Sequence, residues 1–129
     1  MLMTFPRAAL AGVALIALAA GSAYAAPPPK VAQTNKGPAL VDAKGMTLYT
    51  YDKDSNGKTT CYGKCAVNWP PLTADPGAAA PAGYSLVART DGSKQWAYKG
   101  QPLYGWIKDK KPGDTTGDGV AKVWHVAKP

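Results

Sequence analysis

Lys44-Gly45-Met46-Thr47-Leu48-Tyr49-Thr50-Tyr51-Asp52-Lys53-Asp54 and Lys99-Gly100-Gln101-Pro102-Leu103-Tyr104-Gly105-Trp106-Ile107-Lys108-Asp109 are one pattern written twice, with Lys44 falling on Lys99 and Asp54 on Asp109. The register continues without a gap: Thr60 falls on Thr115, Ala66 on Ala121 and Trp69 on Trp124. Nine of the 26 aligned positions from Lys44 to Trp69 are identical, which marks an internal repeat. In each copy two aromatics stand two positions apart, Tyr49 with Tyr51 and Tyr104 with Trp106. A strand projects such a pair from one face. One copy alone cannot bury its aromatic face, so the two copies are expected to pack as a pseudo-symmetric pair.

Outward from this pattern, short apolar runs alternate with turn signals. Lys44-Gly45, Asp91-Gly92, Lys99-Gly100 and Asp118-Gly119 separate β-rich runs, and Asp-Gly between such runs signals a hairpin. No segment sustains a helical period; only Cys61 to Asn68 has room for a helical turn. The expected fold is all-β: one small domain of two homologous hairpin-based repeats over 39–127, with repeat 1 at about 40–72 and repeat 2 at about 95–127. Residues 26–38, with three prolines in a row at Pro27, Pro28 and Pro29, read as an extended, disordered leader.

The segment Met1 to Ala25 reads as a cleaved export signal. Arg7 supplies the positive start, Ala8 to Ala20 an uncharged apolar run, and Ala23-Tyr24-Ala25 the small-x-small cleavage pattern. The apolar run is too short to span a bilayer, and no Cys follows for a lipid to be attached. The expected location is therefore periplasmic or secreted, with no transmembrane segment after cleavage. Cleavage leaves four Trp and six Tyr beside few Leu, Ile and Val, so the core must be built from large rings.

Repeated Tyr-x-[Phe/Trp/Tyr]-x-x-Asp motifs, Tyr49 to Asp54 and Tyr104 to Asp109, stand among Cys61-Tyr62-Gly63-Lys64-Cys65, Trp69-Pro70-Pro71-Leu72, Arg89-Thr90-Asp91-Gly92 and Pro112-Gly113-Asp114. Together they resemble the bacterial secreted-repeat family, the predicted lipoproteins named for that motif, over roughly Ala39 to Ala127. The resemblance implies an envelope location and no defined chemistry. Many relatives carry a lipid; this chain lacks the cysteine for one, so membrane attachment is not implied.

The chain of 129 residues carries 15 Lys and Arg, 8 acids, one His and two Cys, for a net charge of +7. Every acid is Asp. One His and two Cys cannot supply four N/S ligands to zinc, and no Cys-x-x-Cys-His offers covalent haem attachment. Cys61 and Cys65 are expected to form a structural disulfide, with a redox pair or a metal thiolate as alternatives. Asp52-Lys53-Asp54-Ser55-Asn56-Gly57 matches the first half of a calcium loop, but Gly63 stands where the bidentate acid belongs. His125 and Met46, with Asp52 or Asp54, are the candidates for a metal or haem site. Ser85 lacks the glycine frame of a nucleophile elbow. The lysines are scattered, which argues against nucleic acid and suits loose attraction to anionic envelope components. No cofactor is expected. The reading is a non-enzymatic exported binding or structural module, with a periplasmic metal or haem binder as the alternative.

Overall fold

The computed structural model describes residues 25–129; the export signal expected at 1–25 lies, but for Ala25, outside them. The regular elements of the described chain are mostly strands: β1 (Lys30–Thr34), β2 (Gly37–Val41), β3 (Tyr49–Tyr51), β4 (Thr73–Ala74), β5 (Tyr84–Ala88), β6 (Lys94–Tyr98), β7 (Gln101–Pro102) and β8 (Trp124–Val126). One short helix, α1 (Lys64–Asn68), and a single 3-10 turn (Val120–Lys122) occupy matching places in the two repeats. The fold is a small all-β domain, as the alternating pattern implies.

Two antiparallel hairpins, β1–β2 and β5–β6, are counterparts in the repeat. Their turns carry Gly37 and Gly92 at φ of +88° and +90°, a backbone that only glycine adopts without strain. The leader expected to be disordered is therefore corrected: Lys30–Thr34 is a strand paired along β2, with Lys30 opposite Val41 and Thr34 opposite Gly37. Its approach is fixed as well. The Ala26 N–H donates to the Thr73 carbonyl (2.8 Å), and the Trp96 indole N–H donates to the Ala26 carbonyl (2.9 Å). Three prolines there rule out a helix but leave Ala26 free to bond, which is why the segment docks.

The repeats are joined by exchange. β8 of the second repeat pairs with β3 of the first, Tyr49 opposite Val126 and Tyr51 opposite Trp124. In the opposite sense Pro71 bridges to Tyr104, and the Gly105 N–H donates to the Pro70 carbonyl (2.8 Å). Between the two exchanges Tyr49 and Tyr104 pair with each other. A position and its own repeat image can pair only on a twofold axis, so the pseudo-symmetry axis runs through this pair.

Burial follows the axis. One cluster holds Ala39, Tyr49, Cys61, Trp69, Tyr104, Trp124 and Val126. The other gathers Leu40, Leu48, Ala74, Trp96, Leu103 and Ala127 under the hairpins. Cys61 and Cys65 are bonded, with Cα atoms 5.2 Å apart. The bridge closes the turn into α1, whose end places Trp69 in the core. Among the described residues no helix is long and apolar enough to cross a membrane.

Candidate functional site

The repeat motif assembles at the axis by reciprocal hydrogen bonding. The Tyr49 hydroxyl donates to Asp109 Oδ2 and the Tyr104 hydroxyl to Asp54 Oδ2, both at 2.6 Å. Each tyrosine thus takes the carboxylate of the other repeat. The second oxygen of each acid caps the loop that follows. Asp54 Oδ1 accepts from the Thr60 N–H (2.7 Å) and hydroxyl (2.9 Å); Asp109 Oδ1 accepts from the Thr116 N–H (2.9 Å) and hydroxyl (2.6 Å). The structural partner of Thr60 is therefore Thr116, one position beyond the ungapped register that pairs it with Thr115. Both acids are buried, Asp54 at 8% and Asp109 at 7% exposure, and both have their oxygens occupied by donors. Burial first, then the bond to the carboxylate, pushes both phenols well above the ordinary tyrosine range.

Four rings stack in a column across the axis. Trp124 and Trp69 are parallel, with centroids 3.8 Å apart and planes within 2°. Tyr51 caps Trp124 at 4.1 Å, and Trp106 caps Trp69 at 3.8 Å. The order Tyr51, Trp124, Trp69, Trp106 maps onto itself under the repeat. Tyr49 meets Trp69 edge-on at 5.5 Å, and Tyr104 meets Trp124 the same way at 5.2 Å. The inner pair is buried and the outer two are half-buried. Gly117 permits the column: a Cβ there would stand 2.9 Å from Trp69 and 3.0 Å from Trp106. Its N–H donates to the Tyr49 hydroxyl (3.2 Å).

Tyr104 has a further partner that no local sequence signal announced. The Thr59 hydroxyl lies 2.5 Å from its oxygen, and Arg89 Nη1 donates to Thr59 (3.2 Å) and to Gln95 Oε1 (2.8 Å). Arg89 Nη2 donates to the Cys61 carbonyl (2.8 Å), and its guanidinium lies 4.3 Å over the Tyr62 ring. Arg89 is buried and touches no carboxylate directly. Its hydrogen bonds run on through the Thr59 and Tyr104 hydroxyls to Asp54.

The metal candidates are dispersed. His125 Nε2 and Asp52 Oδ2 meet at 2.7 Å on the surface beside Tyr51. Asp54 is committed to Tyr104 and Thr60 in the interior. Met46 lines an apolar cleft with Leu48, Pro70, Trp106 and Ile107. Among the described residues no three His, Cys, Asp or Glu side chains are grouped to hold a metal ion.

That cleft, of about 240 Å³, shares Asp42, Pro71 and Leu72 with a neighbour of about 360 Å³ that reaches Ala25, Ala26 and Pro27. These shared walls set the two clefts side by side as one grooved face. Asp42 stands in it with Oδ1 accepting the Lys44 and Met46 N–H groups, both at 2.9 Å. Exposed Ile107 forms part of its rim. Sequence reasoning missed the groove because its walls come from four separated segments.

No curated protein and no solved structure matches the chain. A family model described as a secreted repeat of unknown function matches twice, over residues 30–73 and 85–128. The second match is offset from the first by the interval that carries Lys44 onto Lys99, and each begins with its hairpin, so the repeats are longer than 40–72 and 95–127. Together they cover more than half of the chain, which belongs to this family of secreted repeats of unknown function.

Proposed function

We propose that the chain is an exported, non-enzymatic binding module of the cell envelope, and that the groove from Ala26 to Ile107 receives its partner. The observation that carries this reading is the occupation of the motif residues. Tyr49, Tyr104, Asp54 and Asp109 are buried and satisfied by one another and by the loop threonines, which leaves none of them facing a bound ligand. The groove, by contrast, offers apolar walls, one carboxylate and the exposed Ile107. Pockets with mostly apolar walls and a few polar groups are the usual binding sites. Export with cleavage after Ala25 would remove one wall residue of the groove and leave Ala26 bonded to Thr73 and Trp96.

The test compares capture of envelope components by the mature chain and by Ile107→Asp, which alters an exposed position. Loss of capture with an unchanged melting temperature is expected; equal capture by the variant would overturn the groove assignment. N-terminal sequencing of the exported form should read Ala26, and a retained Met1 would end the cleavage reading. The second reading, a periplasmic metal or haem carrier, draws support from the contact between His125 and Asp52. It requires a full equivalent of metal or a haem absorption band in natively purified protein, lost in His125→Ala. That result would replace the binding-module reading.

A further inference from the structure

Filling a core requires only volume and apolar surface, which rings packed edge-to-face or offset supply as well as a column does. This domain instead aligns four easily oxidised rings face to face, at spacings of 4.1, 3.8 and 3.8 Å, from Tyr51 to Trp106. Its outer rings are half-buried and border the surface, Tyr51 near the exposed Asp52 and His125, and Trp106 beside the exposed Ile107. Edge-on to the two inner rings stand the two phenols whose O–H groups already point at a buried carboxylate. Indoles and phenols give up single electrons more readily than other side chains apart from thiols and thioethers. Among the described residues no cysteine is free.

We propose that the column carries single oxidising equivalents between its ends, and that Tyr49 and Tyr104 hold them by passing their phenol protons to Asp109 and Asp54. A one-electron oxidant at the surface, of the peroxyl-radical class, takes an electron from the Trp106 indole, which keeps its N–H, and leaves as the hydroperoxide with a proton from solvent. The electron vacancy moves along the stacked rings. An electron from Tyr104 fills it while the phenol proton crosses the existing 2.6 Å hydrogen bond to Asp54 Oδ2. One phenol O–H bond breaks and one carboxylic O–H bond forms. The products are a neutral phenoxyl radical and a protonated Asp54. Tyr49 and Asp109 act in the same way in the other half.

A one-electron reductant of the thiol or ascorbate class then returns the electron, and the carboxylic acid returns its proton. The net event moves one electron from reductant to oxidant and consumes nothing in the protein. The surroundings suit each phenoxyl oxygen. At Tyr104 the Thr59 hydroxyl, held by Arg89, is placed to donate to it, and at Tyr49 the Gly117 N–H donates. The raised pKa of both phenols keeps them protonated until they are oxidised.

The experiment oxidises the full mature chain with flash-generated tris(bipyridyl)ruthenium(III) and follows tryptophanyl and tyrosyl radicals by transient absorption and freeze-quench electron spin resonance. In the parent protein the tryptophanyl signal should decay into a tyrosyl signal, and the decay should slow in deuterium oxide. In the Tyr49→Phe/Tyr104→Phe double variant the tyrosyl product should be lost and the tryptophanyl radical should persist. An unchanged tyrosyl signal in the double variant would place the radical on another tyrosine, Tyr51 of the column itself or Tyr62, Tyr84 or Tyr98, and overturn the proposal. If the double variant does not fold, the parent protein decides alone: a Trp-to-Tyr step that is absent, or that shows no deuterium effect, overturns it.

Discussion

Tyr49 and Tyr104 exchange backbone hydrogen bonds in both directions, the Tyr49 N–H to the Tyr104 carbonyl at 2.8 Å and the Tyr104 N–H to the Tyr49 carbonyl at 3.0 Å. Each is the repeat image of the other, so this pair is the hinge point of the pseudo-symmetry. From it the two side chains reach across to the opposite repeat's aspartate, and strand pairing is exchanged on either side. Neither repeat keeps its motif to itself.

Asp54→Asn removes the charge that accepts the Tyr104 hydroxyl and the two Thr60 donors. Loss of charge-assisted bonds in a buried setting should cost about 1.5–3 kcal/mol. Asp109→Asn should cost a similar amount, because its partners are the images of those at Asp54. Urea unfolding midpoints at constant slope measure both. A cost confined to one of the two acids would contradict the pairing.

Gly117→Ala places a methyl group against Trp69 and Trp106, inside normal contact distance of both. The rings are pinned in the column and cannot retreat, so the overpacking should cost about 1–3 kcal/mol. Gly92→Ala differs in cause: nothing lies near its Cβ, and the penalty comes from φ of +90° alone. Near-ultraviolet circular dichroism should change for Gly117→Ala and stay constant for Gly92→Ala.

Much of this is legible in the sequence. The repeat register identifies Tyr49 with Tyr104 and Trp69 with Trp124, and the spacing of Cys61 and Cys65 in an exported chain points to their bond. The β1–β2 hairpin escapes a sequence reading because the three prolines before it dominate. Its signal is present all the same, since Gly37 is the repeat image of Gly92 and closes the equivalent turn. The exchange of β8 and of Pro70-Pro71 between repeats is not legible. A repeat states which units are alike, not which strand joins which unit. The Arg89–Thr59–Tyr104–Asp54 chain is hidden for a related reason: it joins three stretches distant along the chain, and only Tyr104 and Asp54 belong to the repeated motif.

Alkaline pH should unfold the domain in a defined window. Both phenols are held above their ordinary 10.0, by burial first and by the bond to the carboxylate second. A raised folded value means that the folded state holds the proton more tightly. Stability is whole below the unfolded value and falls as pH climbs past it, by up to about 1.4 kcal/mol per tyrosine per pH unit. Melting temperature measured from pH 8 upward should therefore hold and then drop, and Tyr49→Phe/Tyr104→Phe should flatten the drop.

His125→Ala removes an exposed contact with Asp52. Exposed pairs of this kind contribute about 0–1 kcal/mol, so the melting curve should barely move. Reduction of Cys61–Cys65 acts on the unfolded chain; for so short a loop the loss should be about 2 kcal/mol. Thermal unfolding with and without a phosphine reductant measures it, and the Trp69 environment should loosen before that of Trp96.

The central claim is that the two repeats form one cooperative unit through exchanged strands and shared side chains. Native-state hydrogen exchange of the whole chain tests it most directly, through the amides of Tyr49, Leu72, Tyr104 and Ala127, which bond across the repeats or close the exchanged strands. All four should open with one free energy, equal to that of global unfolding. If the amides of residues 30–73 instead exchanged through an opening distinctly easier than those of residues 85–128, the repeats would be independent and the claim would fail.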